Sequence, residues 1–350
     1  MEVAGAHTVL GQSSAQVLRS ARAPRQRLRE VPTSRIFTTS KSCVARASFA
    51  ALASLATRRG ARSLRRASLD ASGPMPSVRL TRGQDEATVY LRGACLASYK
   101  TSGVEWLALR PDAKFDGSKP NVSGGLPICF PQFGPGDPLG RDVPSVATKI
   151  PVHGLARNMD WKLLEAESTG DTCVLELTDT EETRQLWPHE FRCRWKVELK
   201  EGEVATTLTV ENCSAEECSF TCGLHSYYHV SDIDAISIRG DFAGSTKYER
   251  KVDPPEAITY DAAEIRISEF TDDIYKNVLP GSVILNDPVK GELDIISGGG
   301  WQSVVVWNPY GDEGLGYKNL VCIESVATDA VRLAAKASWA ATMRIAPKAK

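Results

Sequence analysis

Two neighbouring segments decide the fold class: CRWKVEL at residues 193–199 and VATTLTVE at residues 204–211. Apolar and polar side chains alternate along both segments, and this period of two is typical of a β-strand with one buried face. Gly202 lies between the segments, where a tight turn needs a residue that tolerates a left-handed backbone. The pattern therefore predicts a β-hairpin.

The rest of the chain beyond residue 73 repeats this alternation of short strands and turns. One helical turn is predicted at residues 181–187, and no segment has a helical period over ten or more residues. Further strands are predicted at residues 78–80, 87–91, 94–99, 173–178, 235–239, 282–285, 293–296, 303–307, 320–323 and 339–345. Such a series predicts an all-β sandwich or barrel, with functional sites on its loops or its concave face.

The first part of the chain differs in composition from the rest. Residues 1–70 hold thirteen Lys and Arg but only three acids, and they are rich in serine. This composition is typical of an organelle transit peptide. We predict a leader at residues 1–72 and a folded domain at residues 73–350, with the boundary marked by Gly73-Pro74-Met75-Pro76. Plastid import is the expected destination; a mitochondrial signal and a disordered basic arm on a cytosolic protein are the alternatives.

The remainder of the chain is acidic, which limits the kinds of partner it can bind. It holds 29 basic and 40 acidic residues, a formal charge of −11, and this argues against nucleic acid. The best apolar run in the leader, residues 47–56, is too short to span a membrane. The nine cysteines include no C-x-x-C pair, so we expect reduced thiols rather than a zinc motif. We expect no membrane partner and a monomeric chain.

Three of the five histidines lie in two short segments, IPVHGLAR at residues 150–157 and GLHSYYH at residues 223–229. Histidine is the side chain whose ordinary pKa allows proton transfer near neutral pH. On a strand, His225 and His229 would share one face with Tyr227. This arrangement suits a polar cleft, and an exposed sheet face is the alternative.

Glu324 closes the apolar run Leu320-Val321-Cys322-Ile323. A carboxylate at the end of a buried strand costs free energy unless it is paired or belongs to a site. Glu324 is therefore a candidate general base with a raised pKa. A strand-end glutamate on the surface is the alternative.

Six motifs occur in an order that carries a family resemblance. Together they resemble the glucose-6-phosphate 1-epimerase branch of the aldose 1-epimerase family, over about residues 78–346. The resemblance implies a galactose-mutarotase-like β-sandwich, or supersandwich, that needs neither cofactor nor metal. It also implies interconversion of the α and β anomers of a hexose 6-phosphate. The motifs are residues 124–134, 151–158, 187–191, 224–228, 307–309 and 322–324.

The resemblance also implies catalytic roles. Glu324 would be the base that removes the proton of the anomeric hydroxyl, and His225 the acid at the ring oxygen. His153 would hold or polarise the same oxygen. Each positioned proton-transfer group contributes roughly 10² to 10⁴ in rate, so this pair suffices for ring opening.

The expected substrate-binding residues depart from the family pattern at one place. By the resemblance, Arg157, Asp272 and Gln132 would bind the sugar phosphate. Ser123 stands where the family has an arginine, and Val152 replaces a glutamine. Loss of one charge-assisted hydrogen bond would weaken phosphate preference about tenfold to a hundredfold, unless a lysine compensates. The candidate lysines are Lys114 and Lys119.

Three other functions remain open from the sequence. One is a non-catalytic carbohydrate-binding or sensing protein on the same fold. Another is a mutarotase for unphosphorylated aldoses. The last is a metal-dependent β-barrel enzyme with His153, His225 or His229 and Glu324 as ligands, although His-x-x-x-His is poor ligand spacing on a strand.

Overall fold

A computed structural model describes residues 66–136, 150–252 and 254–349, and most of the predicted leader lies outside these residues. The helices are α1 (Glu181–Leu186) and four 3₁₀ helices at Ala156–Asn158, Glu165–Glu167, Glu313–Leu315 and Tyr317–Asn319. The strands in the first half are β1 (Ser68–Asp70), β2 (Ser77–Arg82), β3 (Asp85–Tyr90), β4 (Leu96–Thr101), β5 (Val104–Glu105), β6 (Ile128–Cys129), β7 (Lys162–Leu163), β8 (Thr172–Thr178), β9 (Phe191–Lys200), β10 (Glu203–Asn212) and β11 (Cys218–Leu224). Those in the second half are β12 (Tyr227–His229), β13 (Ser237–Arg239), β14 (Ser245–Glu249), β15 (Glu256–Tyr260), β16 (Glu264–Ile265), β17 (Thr271–Lys276), β18 (Gly281–Asp287), β19 (Gly291–Gly299), β20 (Ser303–Asn308), β21 (Leu320–Leu333) and β22 (Ser338–Ala349).

Three antiparallel sheets contain these strands. A five-stranded sheet runs β1-β2-β3-β4-β5, and a nine-stranded sheet runs β16-β13-β18-β19-β22-β10-β9-β8-β7. An eight-stranded sheet has the path β15-β14-β17-β20-β21-β11-β6, and β12 also pairs with β21. The all-β prediction is confirmed. Within the described residues, no helix is long and apolar enough to cross a membrane.

The predicted hairpin is the pair β9 and β10. Its register places Val197 opposite Thr206 and Lys200 opposite Glu203, with Gly202 at φ +68° in the turn. Buried and more exposed residues alternate along both strands. The period of two in the sequence therefore identifies the residues of the buried face. The short helix predicted at residues 181–187 is also present as α1, and its N-terminus is closed by a capping box at Thr180.

One large cluster of buried apolar side chains draws on all three sheets. Phe130 lies in it, with edge-to-face contacts to Trp187 and Phe220 at ring distances of 5.3 Å. Phe130 also accepts backbone hydrogen bonds from Leu155 and Ala156. The core therefore anchors the loop that contains Phe130 and, through these hydrogen bonds, the first histidine segment.

Some strands were not predicted, or differ in extent, for identifiable reasons. β14, β15 and β17 are rich in charged and polar residues, which hide the strand signal. β21 extends over 14 residues, although the apolar run ends at Ile323. Two of its later polar residues are buried and paired with neighbouring strands: Ser325 contacts Ser297 at 2.6 Å and Thr328 contacts Ser303 at 2.8 Å. Strand pairing also begins at β1, a few residues before the boundary predicted at residue 73.

Candidate active site

Glu324 lies inside β21, opposite Val305 of β20. The expectation of a strand-end position was wrong, because buried polar residues continue the strand beyond the apolar run. The Glu324 side chain is only 2% exposed, which also contradicts the alternative of a surface glutamate. Its Oε1 lies 3.3 Å from Nδ1 of His225. A buried acid from the segment 320–324 therefore faces a buried imidazole from the segment 223–229.

His225 occupies the short gap between β11 and β12 rather than a continuous strand. Its backbone N–H donates to the carbonyl of Pro127, which ties it to the first loop motif. The imidazole stacks on Tyr227 with a ring distance of 4.7 Å and an interplanar angle of 7°. Trp307 of β20 meets the same imidazole edge-on at 6.1 Å. Packing on two aromatic rings fixes the orientation of His225.

His153 adopts a left-handed backbone at φ +65°, an unusual conformation for a residue with a side chain. Its N–H donates to the carbonyl of Gly134, and the Gly134 N–H donates back to Nδ1 of the imidazole at 3.2 Å. Nδ1 is thus an acceptor, so the proton of the neutral ring resides on Nε2. The ring lies 5.0 Å from that of His225. Backbone strain held in place beside a second imidazole is typical of a functional position.

Both imidazoles favour the neutral form. Burial lowers the pKa of His153 to about 3, and the positive charges of Arg157 and Arg250 add to this effect. Burial likewise lowers the pKa of His225 well below its usual range, with His153 and Arg157 as further causes.

The carboxyl group has the opposite preference. Burial raises the pKa of Glu324 well above its usual range, and the nearby Asp272 raises it further while Arg250 opposes the change. In the described part of the chain, Oε2 of Glu324 and Nδ1 of His225 are buried without a hydrogen-bond partner. Such atoms are rare in folded proteins and point to a ligand that would satisfy them.

Asp272 lies on β17, which pairs with β20, and its backbone is opposite Trp307. Its Oδ2 is 3.6 Å from Nη2 of Arg250, and its carbonyl accepts the Arg250 N–H. Burial raises the pKa of Asp272, and Arg250 opposes this change. Sequence reasoning missed Arg250, because it follows a polar strand and belongs to no recognised motif.

Arg157 lies in the 3₁₀ helix Ala156–Asn158, close enough to lower the pKa of both histidines. Its Nε atom is buried and finds no hydrogen-bond partner among the described residues. Gln132 is 2% exposed, and its Nε2 donates to the carbonyl of Gly134. Arg157 is thus a cation with unused hydrogen-bonding capacity, while Gln132 supports the loop that holds His153.

Ser123 lies next to an arginine that sequence reasoning missed. Its carbonyl accepts the backbone N–H of Arg110 at 3.0 Å. The Arg110 side chain pairs with Asp112, with Nη2 3.0 Å from Oδ2. Arg110 also opposes the raised pKa that burial imposes on Tyr227. Lys119, one of the two lysines that could compensate for Ser123, contacts the same Asp112 carboxylate at 2.6 Å. The other candidate, Lys114, lies near Asp116 on the surface. Hydrogen bonds from Ser118 lower the pKa of Asp116, and the charge of Lys114 lowers it further.

His229 does not join the other two histidines. It is exposed, and its Nδ1 lies 3.4 Å from the ammonium group of Lys290. His229 is therefore not a metal ligand together with Glu324, as one alternative from the sequence would require. Within the described residues, the donor atoms of His225, Cys322 and Glu324 instead lie within 4.8 Å of one another.

The profile of one family, aldose 1-epimerase, matches residues 76–346. The chain belongs to the aldose 1-epimerase family. An Escherichia coli K12 protein provisionally named glucose-6-phosphate 1-epimerase is 32% identical over 255 residues, covering 69% of this chain and 80% of its own. A Cenchrus ciliaris protein with the same provisional name is 29% identical over 267 residues, covering 69% of this chain and 75% of its own. This family member is therefore an isomerase, as predicted.

Solved structures agree with this assignment. The crystal structure of a provisionally named mutarotase from Salmonella typhimurium has a TM-score of 0.66 and 26% identity, covering 81% of this chain and 94% of its own. A provisionally named aldose 1-epimerase from Escherichia coli K12 shares the fold with a TM-score of 0.63 at 14% identity, covering 79% of this chain and 100% of its own. The predicted galactose-mutarotase-like fold is confirmed.

Proposed function

We propose that this epimerase interconverts the α and β anomers of a hexose 6-phosphate, with glucose 6-phosphate as the first substrate to test. The observation that carries the proposal is the buried pair Glu324 and His225, with 3.3 Å between carboxylate oxygen and ring nitrogen. Mutarotation needs one base and one acid within reach of two oxygens of the same sugar. The names of the bacterial and plant relatives support the choice of substrate.

In the proposed reaction, Glu324 as carboxylate removes the proton of the anomeric hydroxyl. His225 as imidazolium gives its proton to the ring oxygen, the bond between C1 and that oxygen breaks, and C1 becomes an aldehyde. Rotation about the C1–C2 bond turns the other face of the aldehyde toward the former ring oxygen. On ring closure, Glu324 gives its proton to the aldehyde oxygen, which becomes the new anomeric hydroxyl, and His225 takes its proton back from the former ring oxygen. The Nε2–H of His153 donates to the ring oxygen as its charge changes.

A phosphate on the substrate helps to produce the required protonation state. In the site formed by Glu324 and His225, called the cleft from here on, burial favours the protonated carboxyl group and the neutral imidazole. Arg157 is one cause of the lowered pKa of His225. A phosphate dianion bound at Arg157 offsets this positive charge, and we expect it to favour the imidazolium that ring opening needs.

Two guanidinium groups are the proposed phosphate contacts. Arg157 and Arg110 each have a buried Nε that lacks a partner among the described residues. Arg110 also lies close enough to Tyr227 to lower its pKa. Guanidinium groups bind phosphate oxygens with two parallel hydrogen bonds, which lysine cannot do. Arg110 is thus the proposed replacement for the arginine that the family has at the position of Ser123.

The test is the rate of α-to-β exchange measured by NMR for glucose 6-phosphate, glucose and galactose, with the full chain. We expect fast exchange of the phosphorylated sugar. Arg157→Met should lower kcat/KM for this sugar about tenfold to a hundredfold. The rate for free glucose should not fall, because removal of the Arg157 charge favours the imidazolium of His225. Arg79→Met is the matched control, because Arg79 is 62% exposed and pairs with Glu86 away from the cleft.

Two other outcomes would redirect the assignment. Equal exchange of free and phosphorylated sugars would indicate a general aldose mutarotase. Binding of sugars without any exchange would indicate the non-catalytic binding protein.

We also propose that residues 1–72 direct import into plastids, on the strength of their thirteen Lys and Arg against few acids. A fusion of residues 1–72 to a fluorescent protein should enter isolated chloroplasts and lose the leader. Import into mitochondria alone, or retention in the cytosol, would contradict this proposal. The monomeric state stays a prediction, which sedimentation of the purified chain would test.

A further inference from the structure

Cys322 is a buried thiol at the catalytic pair that the proposed reaction does not use. It lies two residues before Glu324 on β21, so both side chains project from the same face of the strand. Cys322 is fully buried, and its strand position is opposite Tyr227, the residue on which His225 stacks. As a result, the donor atoms of His225, Cys322 and Glu324 lie within 4.8 Å of one another.

We propose that these three side chains form an inhibitory binding site for a thiophilic divalent cation, with Zn²⁺ as the representative ion. The ring nitrogen of His225, the sulfur of Cys322 and a carboxylate oxygen of Glu324 are three ligands, and water takes the fourth position. The inhibition rests on the proposed function, because the metal occupies its acid and its base together. Binding of the metal does not depend on the proposed function.

The geometry needs only a small adjustment. Zinc bonds of about 2.0 to 2.3 Å imply ligand atoms roughly 3.3 to 3.7 Å apart in a tetrahedron. Nδ1 of His225 and Oε1 of Glu324 already lie 3.3 Å apart. Since the donor atoms lie within 4.8 Å of one another, the sulfur must approach by at most about 1 Å, which a change in the Cys322 side-chain torsion can supply. Hard ions such as Mg²⁺ prefer oxygen ligands and water, so this donor set selects against them.

The unsatisfied atoms at the site are a second observation in favour of a ligand. Nδ1 of His225 and Oε2 of Glu324 are buried without hydrogen-bond partners in the described part of the protein. Binding displaces the thiol proton of Cys322 and the carboxyl proton of Glu324 to solvent, and nothing is oxidised or reduced. The two anionic ligands balance the charge of the ion, so the complex is neutral. A neutral complex is not repelled by Arg157 and Arg250, and it avoids the cost of a net buried charge.

The first experiment measures inhibition of anomerisation by chelator-buffered Zn²⁺. We expect inhibition that excess sugar substrate relieves, and none with Mg²⁺ at the same concentration. Cys322→Ala should retain turnover and require at least about tenfold more Zn²⁺ for the same inhibition, because one ligand is lost. Cys322→Val replaces this variant if the smaller side chain prevents folding. Unchanged zinc sensitivity in the folded variant would overturn the proposal.

Two other cysteines provide matched controls. Cys173→Ala removes a thiol buried in the main core, and zinc sensitivity should stay at the wild-type value. Cys129 is the sharper control, because its sulfur lies 3.4 Å from Nδ1 of His153 in the same site. Loss of inhibition in Cys129→Ala with retention in Cys322→Ala would assign the metal to that other pair and overturn the ligand set.

The second experiment does not depend on turnover. Co²⁺ added to the full chain should produce the near-ultraviolet charge-transfer band of a cobalt–thiolate bond. The band should disappear in Cys322→Ala and persist in Cys173→Ala and Cys129→Ala. A Cys322-dependent band in a protein that anomerises no sugar would support the metal site while the proposed function fails. Absence of the band from the wild-type protein would overturn the site whatever the activity.

Discussion

The nine-stranded sheet and the cleft on the eight-stranded sheet differ in where their ionisable side chains lie and in whether these side chains are charged. On the nine-stranded sheet, charged side chains are exposed and paired, as with Arg192 and Glu211 at 2.9 Å and Lys196 and Glu198 at 3.1 Å. In the cleft, Glu324 and His225 are buried and both prefer their uncharged forms. Exposed pairs contribute little to stability, whereas buried polar groups without partners reduce it. The buried pair therefore lowers stability, which fits the proton-transfer role proposed for it.

The largest expected effect is that of Glu324→Gln. Anomerisation should fall by roughly 10² to 10⁴, because the variant has no base. The free energy of unfolding at pH 7 should rise, since the unfolded state ionises Glu324 while burial raises its pKa in the folded state. NMR exchange and urea denaturation measure the two quantities.

Glu198→Gln on the nine-stranded sheet is the control for this prediction, because Glu198 is one-third exposed and lies in a surface pair. It should leave both quantities nearly unchanged. A Glu324→Gln protein that retains its activity or loses stability would contradict the contrast between cleft and surface.

The next effect is a loss of stability at acid pH that originates from His153. Its folded pKa is about 3, against an ordinary histidine value of 6.5, so the unfolded chain binds the proton first as pH falls. Stability should decrease below pH 6.5 and continue to decrease down to the folded pKa, by roughly 1.4 kcal/mol per pH unit for this residue. Urea denaturation at pH 7 and pH 5 should show a difference of about 2 kcal/mol from His153 alone.

His153→Asn should remove this part of the pH dependence, because asparagine tolerates the left-handed backbone and does not titrate. The contribution of His225 has the same sign and should remain. An unchanged difference between pH 7 and pH 5 in His153→Asn would mean that burial of His153 does not affect its pKa.

A smaller effect is expected from Arg250→Met. Arg250 lowers the pKa values of His153, His225 and Glu324, so removal of its charge should raise all three. Both limbs of the pH profile of kcat/KM should therefore move to higher pH, by up to about one unit. A lower kcat/KM at every pH without displacement of the limbs would assign Arg250 to sugar binding alone.

The smallest effect is expected from the surface of the nine-stranded sheet. Arg344→Met breaks a contact of 2.8 Å with Glu203, but the Arg344 side chain is 43% exposed. The free energy of unfolding should change by less than about 1 kcal/mol, and the pH profile should not move. A larger change would show that charges on this sheet act as a network.

Much of the site was predictable because its motifs are local. The two histidine segments and the apolar run before Glu324 were visible in the sequence, and the family resemblance assigned roles to them. Arg110 and Arg250 were not predicted, because an arginine in a polar stretch is usually solvated. Their importance depends on which strands become neighbours, and the sequence pattern does not report this.

The sequence by itself determined the all-β class and the β9–β10 hairpin, because these features depend on residue period over a few positions. The roles of acid and base are what the family resemblance implies, and they stay predictions. The tertiary structure alone decided that β17, β20, β21 and β11 lie side by side, and this order brings Asp272, Trp307 and Glu324 to the gap that holds His225. It also decided the protonation of the cleft, because the pKa of Glu324 depends on burial and on charges far away in the chain.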